Sequence, residues 1–130
     1  AGRGSAIDQV DRSLLATGFP YDMVTNPDNN FADWEHMQKV ASACRRCGSA
    51  ALDLCMVAAG WFDGYWERHT KAWDVAAGFV IAQEAGAVVS NLKGDPNCFH
   101  VPFELLIANP ILHPLLLKEI ELMIESKQTE

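Results

Sequence analysis

Hydrophobic and polar residues are arranged along this chain in blocks that predict strands and helices in alternation. Between residues 33 and 46 the apolar positions Trp34, Met37 and Cys44 recur at helical spacing, which predicts an amphipathic helix. The other segments predict strands over 13–18, 61–68, 87–92 and 104–109, and helices over 50–60, 74–85 and 110–127. Strands that alternate with helices indicate an α/β layered sandwich.

A single carboxylate, Asp74, stands between a tryptophan and a run of small residues at positions 76–78. Aspartate is a favoured helix N-cap, because its oxygens accept hydrogen bonds from the free amides of the first turn. A second interpretation places Asp74 in a functional site. Glu67 ends the preceding predicted strand, and strand ends and helix starts meet at one edge of an α/β sheet. The small residues would let the helix pack closely against a neighbour.

Length and charge exclude several classes of protein. The 130 residues suit one domain, and 17 acidic residues against 10 basic ones leave no basic surface for nucleic acid. No apolar run approaches the roughly 20 residues that cross a membrane, and the amino terminus lacks the apolar stretch of a signal peptide. We therefore expect a cytoplasmic protein with no nucleic-acid or membrane partner.

Cysteines and histidines are spaced without a clear metal-ligand pattern. Cys44 and Cys47 have C-x-x-C spacing, but in a helix this spacing merely places two small apolar side chains on one face, and no second pair follows. A zinc site is the less favoured alternative. The four histidines are scattered, and we expect them at the surface or in loops.

Two long segments resemble one enzyme family. "WDVAAGFVIAQEAGAVV" (73–89) resembles the carboxyl-terminal signature of the inositol monophosphatase family, W-D-x-[AG]-[AG]-x followed by E-A-G-G, with Ala87 where the family usually has a second glycine. "GSAALDLCMVAAGWFDGYWE" (48–67) is similar to the segment that precedes this signature. "LLATGFPYD" and "IANPILHPLL" also resemble their counterparts in the family.

The resemblance implies a magnesium-dependent phosphomonoesterase with a layered αβαβα fold, usually a homodimer, that acts on a small phosphorylated polyol or sugar. It implies that Asp74 ligates a catalytic Mg²⁺ and that Glu67 hydrogen-bonds a substrate hydroxyl. It also implies that the backbone around Gly48, Ser49 and Ala50 lines the substrate pocket. Magnesium is a hard cation that takes carboxylate oxygens, so an aspartate suits this role.

The family's amino-terminal metal ligands have no counterpart in these residues. The D-P-[IL]-D-G-[TS] motif is missing, and the pair Asp95-Pro96 is followed by Asn97 and Cys98 instead. A two-metal site needs several carboxylates. We therefore expect residues 1–130 to form the carboxyl-terminal, substrate-binding half of such a phosphatase, inactive without the amino-terminal half. The alternative is a noncatalytic remnant that serves as a protein-interaction or dimerisation module.

Overall fold

The computed structural model describes residues 6–19, 24–27, 29–46 and 50–128. After a short 3-10 helix at Val10–Arg12, the chain forms five strands: β1 (Leu14–Thr17), β2 (Ala43–Arg45), β3 (Gly64–Glu67), β4 (Val88–Ser90) and β5 (Leu105–Ala108). The four α-helices are α1 (Phe31–Val40), α2 (Ala50–Ala58), α3 (Ala72–Ala85) and α4 (Leu112–Gln128). In the part of the chain described, no helix is long and apolar enough to cross a membrane.

The strands form one mixed sheet in the order β2-β1-β3-β5-β4. β1 pairs in parallel with both β2 and β3, whereas β5 is antiparallel to both β3 and β4. The crossover from β1 to β2 and the crossover from β2 to β3 run in opposite directions across the sheet. Because parallel crossovers are right-handed, α1 and α2 must then lie on opposite faces.

Two apolar clusters, one on each face, hold the helices to the sheet. Leu15 and Trp66 point into the cluster beneath α1 and α4, and Ala16 and Tyr65 point into the cluster beneath α2 and α3. Successive strand residues face opposite sides, so β1 and β3 contribute to both clusters. The observed mixed sheet flanked by four helices confirms the α/β fold class. The described residues form three layers, namely the sheet and one layer of helices on each of its faces.

The predicted helix over 33–46 was wrong at its end. α1 stops at Val40, and Ala43–Arg45 form β2, with Cys44 opposite Leu15 of β1. Three residues are too few to reveal a strand by alternation, and pairing with β1 decides their conformation. Cys44 therefore lies in a strand and not, as the interpretation of the C-x-x-C pattern assumed, on a helix face. Cys47 lies outside the described residues, and Cys44, Cys55 and Cys98 are free thiols.

The prediction that all histidines lie at the surface or in loops was wrong for His113. His113 is buried in the first turn of α4, where its Nε2 lies 2.8 Å from Ser90 Oγ of β4. His36, half-buried on α1, contacts Glu119 of α4 at 3.0 Å. Both therefore help to dock the carboxyl-terminal helix, whereas His69 and His100 are exposed.

Candidate functional site

The carboxyl ends of β1 and β3 carry the residues predicted to form the site. Gly18 directly follows β1, Glu67 is the last residue of β3, and Asp74 lies in the first turn of α3. The connection that leaves β1 runs to α1 on one face, whereas the connection that leaves β3 runs to α3 on the other. Adjacent strand ends whose connections diverge in this way form the crevice where open α/β sheets bind ligands.

Glu67 is a half-buried carboxylate enclosed by β1 and β3. Tyr65, two residues earlier on the same strand face, donates its phenol hydrogen to Glu67 Oε1. Gly18 approaches from β1 so closely that a Cβ there would lie 2.9 Å from Glu67 Oε1 and 3.2 Å from the Tyr65 hydroxyl oxygen. Glycine at position 18 therefore makes the room that this carboxylate occupies.

The surroundings of Glu67 disfavour its charge. Burial raises the pKa of the Glu67 carboxyl above its usual 4.5, and the nearby Asp74 and Asp53 carboxylates raise it further. Hydrogen bonds from Tyr65 and Thr70 favour the ionised form and offset part of this rise in pKa. Carboxyl groups whose pKa is shifted by their surroundings are concentrated at functional sites.

Asp74 is the third residue of α3, not its N-cap as one interpretation of the sequence predicted. The helix begins two residues earlier, at Ala72 after Lys71, so the Asp74 carboxylate turns back over the helix start. Its Oδ2 accepts hydrogen bonds from Thr70 Oγ1 at 3.0 Å and from the Lys71 backbone amide at 3.3 Å. Thr70 is thus within hydrogen-bonding reach of both Glu67 and Asp74.

The Asp74 carboxylate at this edge could supply one ligand of a magnesium site. Among the described residues, the hydrogen bonds of Asp74 go to Oδ2, which leaves Oδ1 as the oxygen that could take a hard cation. Within the described ranges, no three acidic, histidine or cysteine side chains gather closely enough to hold a metal ion. Asp74 therefore fits a metal as a single ligand, and a full set would need ligands from beyond these residues.

The predicted backbone pocket can be followed only in part. Gly48 and Ser49 lie outside the described residues, whereas Ala50 is the first residue of α2 and packs against the cluster beneath α2 and α3. One turn on, Asp53 is buried and close enough to raise the pKa of Glu67. The start of α2 thus lies beside Glu67, at the same edge as Asp74.

Sequence reasoning missed four residues of this arrangement: Gly18, Asp53, Tyr65 and Thr70. Two signals were available. Tyr65 and Glu67 share one face of the predicted strand, and Asp53 is the single charge inside a helix of apolar residues. Gly18 was interpreted only as a strand end, and nothing in the pattern sets Thr70 apart from a loop threonine.

A second polar network stabilises the same edge from the α1 side. Asn30 accepts a hydrogen bond from Trp66 Nε1 at 2.7 Å and donates to Thr17 Oγ1 at 2.8 Å. Arg68 forms an ion pair with the buried Asp33. A cavity of about 280 Å³ lies here, lined by Asn30, Asp33 and Arg68 among others, but Glu67 and Asp74 do not line it. The cavity and the candidate site are therefore distinct.

Comparison with known proteins gives a consistent family assignment. The family model described as the inositol monophosphatase family matches residues 3–125. The inositol-1-monophosphatase of Synechocystis sp. is 50% identical over 92 residues, which cover 71% of this chain and 32% of that protein. The Nus factor SuhB of Pasteurella multocida is 46% identical over 82 residues, which cover 63% of this chain and 31% of that protein.

The fold is shared with a solved relative. The structure of an inositol monophosphatase from Anabaena (Nostoc) sp. matches with a TM-score of 0.87 and 39% sequence identity, covering 92% of this chain and 47% of that one. The chain thus spans between about a third and a half of the length of the relatives it matches.

Proposed function

The chain belongs to the inositol monophosphatase family, and on that premise we propose that it forms the substrate-binding half of a magnesium-dependent phosphomonoester hydrolase. The observation that carries the proposal is the pairing of two carboxylates at one sheet edge. Glu67 and Asp74 come from different elements and are both within reach of Thr70. Capping a helix would require neither Glu67 nor this arrangement.

In this proposal the two carboxylates have different tasks. Asp74 would hold Mg²⁺, while Thr70 and the Lys71 amide keep its Oδ2 turned towards the helix. A bound magnesium ion would neutralise charge on the phosphate and polarise the phosphorus–oxygen bonds. Glu67 accepts a hydrogen bond from a substrate hydroxyl, which orients the polyol or sugar, and Gly48, Ser49 and Ala50 line the pocket beside it.

The remaining metal ligands are proposed to come from an amino-terminal half. One carboxylate cannot clamp both the attacking and the leaving oxygen of a phosphoryl transfer. Residues 1–130 alone are then expected to be inactive and to bind magnesium weakly. We also infer that the working enzyme is a homodimer, in line with the family resemblance.

A chimera tests this proposal. Residues 6–128 would replace the matching half of the Synechocystis inositol-1-monophosphatase, and phosphate release from inositol 1-phosphate would be measured with and without magnesium. We expect magnesium-dependent turnover by the chimera and none by the 130-residue chain. If the 130-residue chain alone shows turnover that a chelator abolishes, the proposal that it carries only part of the metal site is contradicted. A folded chimera without activity would contradict the enzymatic proposal.

The alternative is a noncatalytic interaction module. Two observations favour it: some relatives are named Nus factors, and large apolar side chains, among them Trp61 and Trp73 at 70% and 71% exposure, are open to solvent. Exposed apolar surface of this kind is typical of interfaces. Neutralising Asp74 in the same chimera separates the two functions, because an interaction module does not need the charge on Asp74.

A further inference from the structure

Tyr65 lies directly beside Glu67, the residue proposed to bind a substrate hydroxyl, and the proposed function gives Tyr65 no task of its own. Tyr65 is 1% exposed and its ring packs in the cluster beneath α2 and α3, so the position of its hydroxyl is fixed by the core. That hydroxyl donates to Glu67 Oε1. A rigid donor on a flexible carboxylate is the arrangement expected of a residue that orients another.

Gly18 lies against the same carboxylate, beside the hydrogen bond that Tyr65 makes to it. A Cβ at position 18 would lie 2.9 Å from Glu67 Oε1 and 3.0 Å from Glu67 Cδ, closer than atoms tolerate without moving. The Glu67 carboxyl therefore packs against the Gly18 backbone at the same oxygen that the Tyr65 phenol binds. It has little freedom to turn while both neighbours are in place.

We propose that Tyr65 is a positioning residue that, with Gly18 packed beside the same carboxyl oxygen, holds Glu67 in the orientation that accepts the substrate hydroxyl. This inference rests on the proposed function, because it assumes that Glu67 binds substrate. A carboxylate offers about four acceptor positions. Tyr65 uses one of them, and Thr70, whose single hydroxyl hydrogen is also within reach of Asp74, uses at most one more, so capacity for a substrate hydroxyl remains.

The chemistry of the phenol suits this task. Burial, together with the neighbouring Glu67 carboxylate, holds the pKa of Tyr65 above its usual 10.0, so the phenol keeps its proton and remains a donor. Hydrogen bonds to ionised acceptors are about twice as strong as neutral ones, so Tyr65 also favours the charged form of Glu67. Tyr65 thus acts through Glu67, without touching the substrate.

The test uses Tyr65→Phe, which keeps the ring and removes the donor, in the chimera described above. We expect KM for inositol 1-phosphate to rise about tenfold, the usual effect of losing one hydrogen bond to a charged group. kcat and the magnesium concentration for half-maximal activity should stay at their parental values. KM for p-nitrophenyl phosphate, which has no polyol hydroxyl, should also be unchanged.

Glu67→Gln and the double variant separate the possible outcomes. If Tyr65 acts through Glu67, the double variant loses no more than Glu67→Gln alone. An effect of Glu67→Gln without one of Tyr65→Phe, additive losses, or an equal loss on both substrates would overturn the inference while leaving the proposed function intact. Parental KM in both single variants would overturn the substrate role of Glu67 and this inference with it.

Two further variants guard against a merely structural effect. Gly18→Ala keeps the Tyr65 side chain but crowds its hydrogen bond with the Glu67 carboxyl, and it should raise KM for inositol 1-phosphate in the same selective way; an unchanged KM would contradict the positioning role. Ser90→Ala is the matched control, because it removes another buried hydroxyl two strands away on the same sheet. It should leave both KM values unchanged, and a rise equal to that of Tyr65→Phe would show that any lost buried hydroxyl suffices.

Discussion

Glu67 lies in surroundings that lower the stability of the folded protein when its carboxyl is ionised. Its carboxyl is shielded from water and lies near two other acids, Asp53 and Asp74, so ionisation is disfavoured in the folded state. The unfolded chain pays no such cost. A raised folded pKa means that the native state holds its proton to higher pH, and stability therefore falls as the pH rises above about 4.5.

Glu67→Gln should therefore stabilise the protein at neutral pH. The amide has no charge to desolvate, and its oxygen can still accept the Tyr65 hydrogen bond. In the chimera with chelator, we expect the variant to have a higher Tm than the parent at pH 7, with the difference shrinking towards pH 4. Circular dichroism melts at both pH values would measure this. A variant less stable than the parent at pH 7 would contradict it.

Part of the candidate site could be predicted from the residues alone. Glu67 and Asp74 carry the resemblance, and a strand end and a helix start place them at one edge. The hydrogen bond from Tyr65 and the close approach of Gly18 depend on how β1 lies against β3, a long-range pairing of Ala16 with Tyr65. No local pattern contains that information, because it is set by the sheet as a whole.

At the scale of elements, α3 sits unusually close to the sheet. Gly78 faces β5, and a Cβ there would lie 3.0 Å from Leu105 Cδ1, whose side chain is fully buried. The prediction that small residues let this helix pack closely is thus confirmed at Gly78. The close contact brings the first turn of α3, with Asp74, over the edge where β3 ends.

Gly78→Val should be strongly destabilising for this reason. Overpacking a core contact costs about 1–3 kcal/mol, and valine gains less from helix propensity than alanine would. The matched control is Ala76→Val, an exposed position of the same helix, which should change the free energy of unfolding by about 0.5 kcal/mol. Denaturant unfolding of both chimeras would measure the two values. Equal losses would show that α3 does not depend on this contact.

The elements themselves were mostly predictable, with one instructive exception. Long periodic segments such as α3 and α4 were found because their pattern spans several turns. β2 was missed because Cys44 continues the spacing of α1, and only its pairing with Leu15 makes it a strand. Among the described strands, β2 comes first in the sheet order, and β1 is its neighbour.

At the scale of the whole molecule, the described residues build a sheet with helices on both faces but only part of a metal site. The mixed sheet is covered on both faces by helices, whereas the described residues bring no three potential ligands together around a metal. This contrast is what the half-enzyme proposal explains. It makes Asp74 one member of a ligand set completed by an amino-terminal half.

The most direct test of that claim is Asp74→Asn in the chimera, measured as phosphate release across a magnesium titration. Asparagine can still accept the hydrogen bonds from Thr70 and Lys71, and losing a charge near the helix start costs only about 0.3–1 kcal/mol. The variant should therefore remain folded. Asp11→Asn, an exposed acid in the short 3-10 helix, is the matched control and should behave as the parent.

If Asp74 ligates magnesium, the asparagine variant loses activity by several orders of magnitude or needs far more magnesium, because a neutral amide is a poor substitute for a carboxylate ligand. Its Tm should stay close to that of the parent. Parental turnover with parental magnesium dependence would contradict the account, and would leave Asp74 as a residue that only stabilises the start of α3.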